Sequence, residues 1–276
     1  MPEDAKKSVS FSAVRPYGVS KGSSMRVFAL GDPHLSFAKP KPMHIFGEHW
    51  RNHADRMAAA WSALGTPDDV LILAGDLSWA MRAEDVRPDL DWIARLPGRK
   101  FIIRGNHDYW WHSLAKVRAM ADSSIIPLQA TCFVLERVAF VGTRGWQCPG
   151  DEPSTDTLER QEALLRREKV RREYTAQDRK IYLREVGRLR LGLEAARQRR
   201  SEFDKLVVIL HYPPMNARHE PSGFTELLAE YDVDWCVYGH LHGPAIATAF
   251  NGQLGRTRLQ LVSADSLDFT PFQLDL

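Results

Sequence analysis

Five short apolar runs in this chain end abruptly in residues that can bind a metal, and that pattern restricts the fold more than any other feature. Val27–Leu30 runs into Asp32-Pro33-His34, and Val70 to Ala74 into Gly75-Asp76. Lys100 to Arg104 is followed by Gly105-Asn106-His107-Asp108, Lys205 to Leu210 by His211, and Val233 to Tyr238 by Gly239-His240-Leu241-His242. Runs of this length, four of the five stopped by glycine, read as buried strands. Between the first three lie helical patterns. Trp50, Ala54, Met57, Ala58 and Trp61 share one face over about 47–64, and a second helix covers 86–96, closed by Pro97-Gly98. Strand, helix, strand, helix, strand implies right-handed crossovers and a largely parallel sheet. In such sheets the C-terminal strand ends converge on one crevice, so the polar groups of all five segments meet there.

The middle of the chain departs from this alternation. Thr131 to Leu135 and Val138 to Gly142 flank Glu136-Arg137 as a tight hairpin would. Residues 159–200 are highly charged and rich in Arg. Within them Thr175-Ala-Gln-Asp178 has the form of a capping box, and Tyr182, Val186, Leu189, Leu193 and Ala196 recur as one helical stripe. The alternation resumes with a strand at 205–210, a helix at 224–231 and a strand at 233–238. The tail (245–250, Asn251-Gly252, 256–263) reads as a closing hairpin. Residues 1–24 are polar and dotted with Ser and Gly, and are expected to be a disordered extension. Residues 25–276 are expected to form a single domain, with a charged helical insertion at about 150–200.

Composition narrows the class. A chain of 276 residues can bury its core without disulfides or metals as staples. Its 44% apolar and 26% charged content is ordinary for a globular protein, and a net charge of +2 argues for no particular partner. Cys132, Cys148 and Cys236 are odd in number and lack CxxC spacing, which points away from a disulfide framework and towards a reducing, cytoplasmic setting. No apolar run approaches the roughly 20 residues of a membrane span.

The clustered residues are of metal-binding type. Asp32 and His34, or His240 and His242, at positions i and i+2 of an extended chain point the same way and can grip one ion. The carboxylate of Asp76 can bridge two. Imidazole, carboxylate and amide oxygen without thiolate suit Mn, Fe or Zn. In their order and their place at strand ends these blocks resemble the calcineurin-like metallophosphoesterases over about Val27 to His242. The resemblance implies a four-layer α/β/β/α sandwich and two divalent metal ions. It assigns Asp32, His34, Asp76 and His242 to one ion and Asp76, Asn106, His211 and His240 to the other, with Asp76 shared. It also implies hydrolysis of a phosphomonoester or phosphodiester by a metal-bridging hydroxide, with His107 facing the scissile phosphate and Asp108 steadying it. Pro33 departs from the family's commoner aliphatic or small residue, and is expected to favour an extended Asp32.

Other residues carry weaker signals. Arg144, beyond a strand, and Arg104 suit bidentate phosphate contact, and His219 follows the Pro213-Pro214 turn near His211; Arg144 and His219 are the substrate-binding candidates. His44, His49, His53 and His112 fit solvated or capping roles better than ligation. Tyr109, Trp110 and Trp111 could stack on a substrate ring, although core packing accounts better for at least two of them. The Arg-rich stretch could bind nucleic acid, but interspersed Glu162, Glu168, Glu173, Asp178, Glu185 and Glu194 favour a solvated, ion-paired face. As a cap over or beside the cleft it would favour a small substrate such as a nucleotide. Two rival readings are a nuclease using that helix and a metal-binding interaction module without catalysis.

Overall fold

A computed structural model describes residues 25–150 and 174–276. The expected extension over 1–24 and residues 151–173 of the expected insertion lie outside the described residues.

The strands arise where the apolar runs place them. Among the described residues, β1 (Val27–Leu30), β2 (Val70–Leu73), β3 (Arg99–Ile102) and β4 (Ile125–Pro127) pair in parallel, and β11 (Phe272–Leu274) closes the other edge antiparallel to β1. The second sheet has the order β5 (Thr131–Leu135), β6 (Val138–Thr143), β7 (Lys205–Leu210), β8 (Trp235–Tyr238), β10 (Thr257–Leu261), β9 (Gly252–Leu254). Its four central strands are parallel and both edges are hairpins.

Strand residues are apolar on both faces because both faces are covered. Val27, Ala29, Ile72, Phe101, Phe140, Val207, Ile209 and Val237 form the layer between the sheets. From the opposite face of the first sheet, Phe28, Leu30, Leu71, Leu73 and Ile102 meet α1 (His53–Leu64), α2 (Arg87–Arg95) and α3 (Leu114–Met120). The second sheet sends Ala139, Val141, Val208 and Leu210 outward to α4 (Ala176–Arg197) and α5 (Gly223–Glu230). The architecture is therefore the expected four-layer α/β/β/α sandwich. Each fully buried aliphatic or aromatic side chain contributes roughly 1.5–3 kcal/mol relative to exposure.

α4 begins at the capping box, with Thr175 and Asp178 bonded reciprocally. Tyr182, Leu189, Leu193 and Ala196 of the expected stripe are buried against the second sheet. The described part of the charged stretch is thus a layer of the sandwich.

Three local expectations need correction. The first helix starts at His53, not near 47: two 3-10 turns (Met43–Phe46 and Glu48–Trp50) come first, broken by Gly47 at φ 141° and Asn52 at φ 53°. The tail hairpin is β9–β10, turning at Gly255 (φ 58°), while Gly243–Thr248 forms a 3-10 helix with Pro in its first turn. Asn251 is not a turn residue in a hairpin loop; its side-chain oxygen accepts the Leu261 N–H at 2.6 Å. α3, β4 and β11 are only 3–7 residues long, too short for a sequence period to mark them.

Phe140 stacks on Phe101 across the inter-sheet layer, with centroids 4.2 Å apart. Phe140→Ala is expected to lower unfolding free energy by about 3–5 kcal/mol, measured by urea denaturation. A loss under about 1 kcal/mol would show that this layer does not carry the sandwich.

Candidate metal centre

The two sheets bring all five polar strand ends to one edge. Asp32, His34, Asp76, His211, His240 and His242 are each at most 1% exposed. Backbone bonds fix the loops: Asp32 N–H donates to Gly75 O, His34 N–H to Asp76 O and Leu35 N–H to Leu77 O, all at 3.0 Å. The loops after β1 and β2 therefore run side by side. This register replaces the extended geometry expected for Asp32-Pro33-His34. Asp32 and His34 have φ of 57° and 45°, Asp76 50° and His240 75°. The left-handed turns swing the side chains inward, and the tertiary hydrogen bonds offset a conformation that costs of order 1–3 kcal/mol per residue.

The carboxylates are the focus. Asp76 Oδ2 lies 3.4 Å from His211 Nε2, 3.9 Å from His34 Nε2 and 4.0 Å from His107 Nε2. Its Oδ1 accepts the His107 backbone N–H at 2.8 Å. Asp32 accepts the His240 N–H at 3.2 Å and lies 3.4 Å from His242 Nε2. Two groups have donor atoms all within 4.8 Å of one another: Asp32, His34, His242 and Asp32, Asp76, His211. Asn106 Oδ1 sits between His211 Nε2 (2.6 Å) and His240 Nδ1 (3.0 Å).

The hydrogen-bond chemistry of this cluster fits a cation. His211 Nδ1 faces Ala74 O at 3.1 Å, and as the donor in that pair it leaves a lone pair on Nε2. That lone pair points at another acceptor, Asn106 Oδ1. Burial pushes the His211 pKa down to about 4, so at neutral pH no proton separates the two acceptors. His34 is fully buried and neither ring nitrogen has a hydrogen-bond partner. Burial and then the neighbouring imidazoles hold His34 and His240 well below the ordinary His range. These are neutral imidazoles, the ligating form. His242 differs. Burial opposes its charge, but Asp265 and Asp32 outweigh burial and raise its pKa well above the ordinary value. The Asp265 carboxylate bonds His242 Nδ1 at 2.7 Å and so orients Nε2 towards Asp32.

The remaining candidates sort clearly. Asp108 accepts from the N–H groups of Leu77, Ser78 and Gly105 and from the Trp110 indole, tying the loops after β2 and β3 together. Burial pushes its carboxyl up to about 6 against those donors. His107 is buried with its ring 4.3 Å from that of Trp79. Arg144 is largely buried, stacks on Trp146 and accepts the His211 and Tyr212 N–H groups with its carbonyl. His219 is not brought into the cluster: it is exposed, and its Nε2 pairs with Thr248 O at 3.0 Å. Trp110 and Trp111 are core residues, whereas Tyr109 is 46% exposed and lines a cavity of about 380 Å³ with Trp79 and Lys41. Of the outlying histidines, His44, His49 and His112 are exposed and only His53 is largely buried.

Asp265 was missed by sequence reading. Its signal was present, since Ser263-Ala264-Asp265 follows β10 as the other polar clusters follow their strands, but a hairpin assignment for the tail concealed it.

A four-layer sandwich whose strand ends deliver clustered Asp, His and Asn donors defines a protein built around a metal-binding crevice. A family model for calcineurin-like phosphoesterases matches residues 25–244, and the chain belongs to that family. It is 30% identical over 77 residues to the Gene 66 protein of Mycobacterium phage L5, a stretch covering 28% of this chain and 37% of that protein. TT1561 of Thermus thermophilus shares the fold at 11% identity and a TM-score of 0.53, covering 92% of this chain and 99% of that one. The protein of unknown function AQ665 from Aquifex aeolicus aligns at 13% identity and a TM-score of 0.44, covering 91% and 96%.

The geometry makes two expectations measurable. In metal-free protein, His34, His240 and His211 have folded pKa values below their unfolded value near 6.5. The unfolded chain then binds more protons, so stability falls as pH drops from about 6.5 towards 4. His242, raised, acts in the opposite sense: it contributes below 6.5 and loses that contribution only as pH rises through its folded value. Asp108, raised to about 6, also gains stability on acidification. The three lowered imidazoles outweigh it, and the His242 contribution is already present near pH 7. Melting of EDTA-treated protein between pH 7 and 4 is therefore expected to show a net loss; a flat or rising profile contradicts it. Separately, a Cβ at Gly105 would run into the backbone and carboxylate of Asp76. Gly105→Ala is expected to reduce bound metal, by elemental analysis, with far-UV circular dichroism unchanged; undiminished metal would refute the close-approach argument.

Proposed function

We propose that this chain is a metal-dependent phosphohydrolase acting on a small phosphomonoester or phosphodiester. The observation that carries this reading is the buried convergence of Asp32, His34, Asp76, Asn106, His211, His240 and His242, with facing lone pairs that a divalent cation would reconcile. Asp32, His34, Asp76 and His242 would hold one ion, and Asp76, Asn106, His211 and His240 the second. Asp32 belongs to both close groups, but Asp76 is the better shared ligand because its Oδ2 faces imidazoles from three other loops. When bound, two such ions, Mn, Fe or Zn by donor type, clamp phosphoryl oxygens and lower the pKa of the attacking water.

The chain's own residues do the rest. Asp265 holds the His242 ring and Ala74 O the His211 ring, so each presents Nε2 inward. His107, seated between Asp76 and Trp79, would stabilise the phosphoryl group or protonate the leaving oxygen. Asp108 acts by locking the loop that carries His107. Arg144, whose carbonyl holds the His211 turn and whose guanidinium stacks on Trp146, would bind an oxyanion of the substrate. His219, engaged with Thr248 O, contributes at most through the organic part of the substrate. The cavity beside Tyr109 and Trp79 suits a small organic moiety.

Against the nuclease reading, Arg188, Arg190 and Arg197 of α4 are ion-paired with Glu185, Glu230 and Glu194. Against a silent module stands the complete ligand set. The free thiols of Cys132, Cys148 and Cys236 fit a cytoplasmic setting. Among the described residues no helix is long and apolar enough to cross a membrane.

Purified protein supplied with Mn²⁺ is expected to hydrolyse 4-nitrophenyl phosphate or its bis ester. Asp76→Asn should abolish turnover, and His107→Ala should lower kcat by about 10²–10⁴ with metal still bound. Full activity in Asp76→Asn, or a protein that binds no metal, ends this reading.

A further inference from the structure

We propose that a cavity walled by Arg104, Arg144, Arg184 and Arg188 is a second anion-binding site, which holds an anionic group of the substrate remote from the phosphate at the metal centre. The substrate role rests on the phosphohydrolase reading above; the anion site itself does not.

The cavity has a volume of about 160 Å³ and lies just beyond the C-terminal ends of β3, β4 and β6, with Arg184, Glu185 and Arg188 of α4 as its other wall. It is built into the same backbone as the metal centre. Arg104 stands two residues before Asn106. The Arg144 carbonyl accepts the N–H groups of His211 and Tyr212 at 3.0 Å, so the turn that sets His211 also sets Arg144. Arg184 and Arg188, one helical turn apart on α4, close the opposite wall.

Charge in this cavity is not balanced from within. Against four guanidinium groups stands one carboxylate, Glu185. Glu185 is fully buried and already engaged: Arg188 Nη1 donates at 2.6 Å and Thr143 Oγ1 at 2.7 Å. Arg184 and Arg144 approach it only to 3.6 and 3.9 Å, beyond hydrogen-bond reach. Arg104 Nε is buried and has no hydrogen-bond partner. A structural ion pair would need one arginine; among the described residues three more face the same space. Beyond Glu185 only the buried Asp108 carboxylate, already bonded to three backbone N–H groups and an indole, acts on Arg104. Like charges gathered in a partly enclosed cavity repel, and an oxyanion relieves that repulsion. The guanidinium fork fits the oxygens of a phosphate or carboxylate in bidentate fashion. Glu185 then acts as an anchor that holds Arg188 on the rim. The substrate class that follows is a phosphate ester carrying a second phosphate or comparable oxyanion.

The test uses the metal-loaded, full-length protein and the double variant Arg104→Gln/Arg184→Gln, which leaves the hydrogen bonds of Glu185 with Arg188 and Thr143 in place. Calorimetric titration with sodium sulfate is expected to show one saturable site, weakened at least about tenfold in the double variant and retained in Asp76→Asn. No saturable sulfate binding, or binding indifferent to the double variant, overturns the site; if the double variant fails to fold, the single variant Arg184→Gln, at a half-exposed residue, decides it. A series of linear alkanediol bisphosphates of three to eight carbons, titrated against the matching monophosphates, then tests the substrate role. At one chain length the second phosphate should tighten binding at least about tenfold, and the double variant should erase that gain. No gain at any length, or a gain that survives the double variant, refutes the substrate role. Failure to hydrolyse nitrophenyl esters with the sulfate site intact would fall on the phosphohydrolase reading and not on this site.

Discussion

Two carboxylates, Asp32 and Asp76, are buried within reach of one another and of the buried imidazoles of His34, His211 and His242, and the rest of the structure answers to that constraint. Taking such groups out of water is costly unless opposite charge or hydrogen bonds compensate. The backbone supplies part of the compensation: the N–H groups of His240 and His107 bond Asp32 and Asp76. The remainder is acceptor facing acceptor, as at His211 Nε2 and Asn106 Oδ1. A polypeptide does not assemble that arrangement for stability; it is the form of a site that leaves room for a cation.

Holding it requires rigid walls, and the sandwich supplies them. The inter-sheet layer of Val27, Ile72, Phe101, Phe140 and Ile209 fixes both sheets, so the strand ends are fixed too. Positive φ at Asp32, His34, Asp76 and His240 is local strain, carried by loop-to-loop backbone bonds and by the Asp108 carboxylate, which ties the loops after β2 and β3 together. Strain at the site and rigidity beneath it are two sides of one design. The crevice is then flanked unequally, by an aromatic cavity at Trp79 and Tyr109 and by an arginine-lined one at α4. That asymmetry is what the proposed substrate, with an organic portion and a second anionic group, would use.

The sequence by itself determined the strand ends and the donor set. Each strand and the polar residues behind it are contiguous, so apolar runs stopped by glycine can be read from local order alone, as can the capping box at Thr175 and the hairpin at Glu136-Arg137. Only the tertiary structure decided the rest. Asp32 and His34 meet in left-handed turns and not along an extended strand, because bonds to the neighbouring loop set their dihedrals. Asp265 joins His242 across 23 positions, and Arg104 and Arg144 join Arg184 and Arg188 only once α4 lies on the second sheet. Sequence periodicity reports which face of an element is apolar, a property of neighbours along the chain. Which charged groups share a cavity depends on contacts between distant segments, and those exist only after the layers pack.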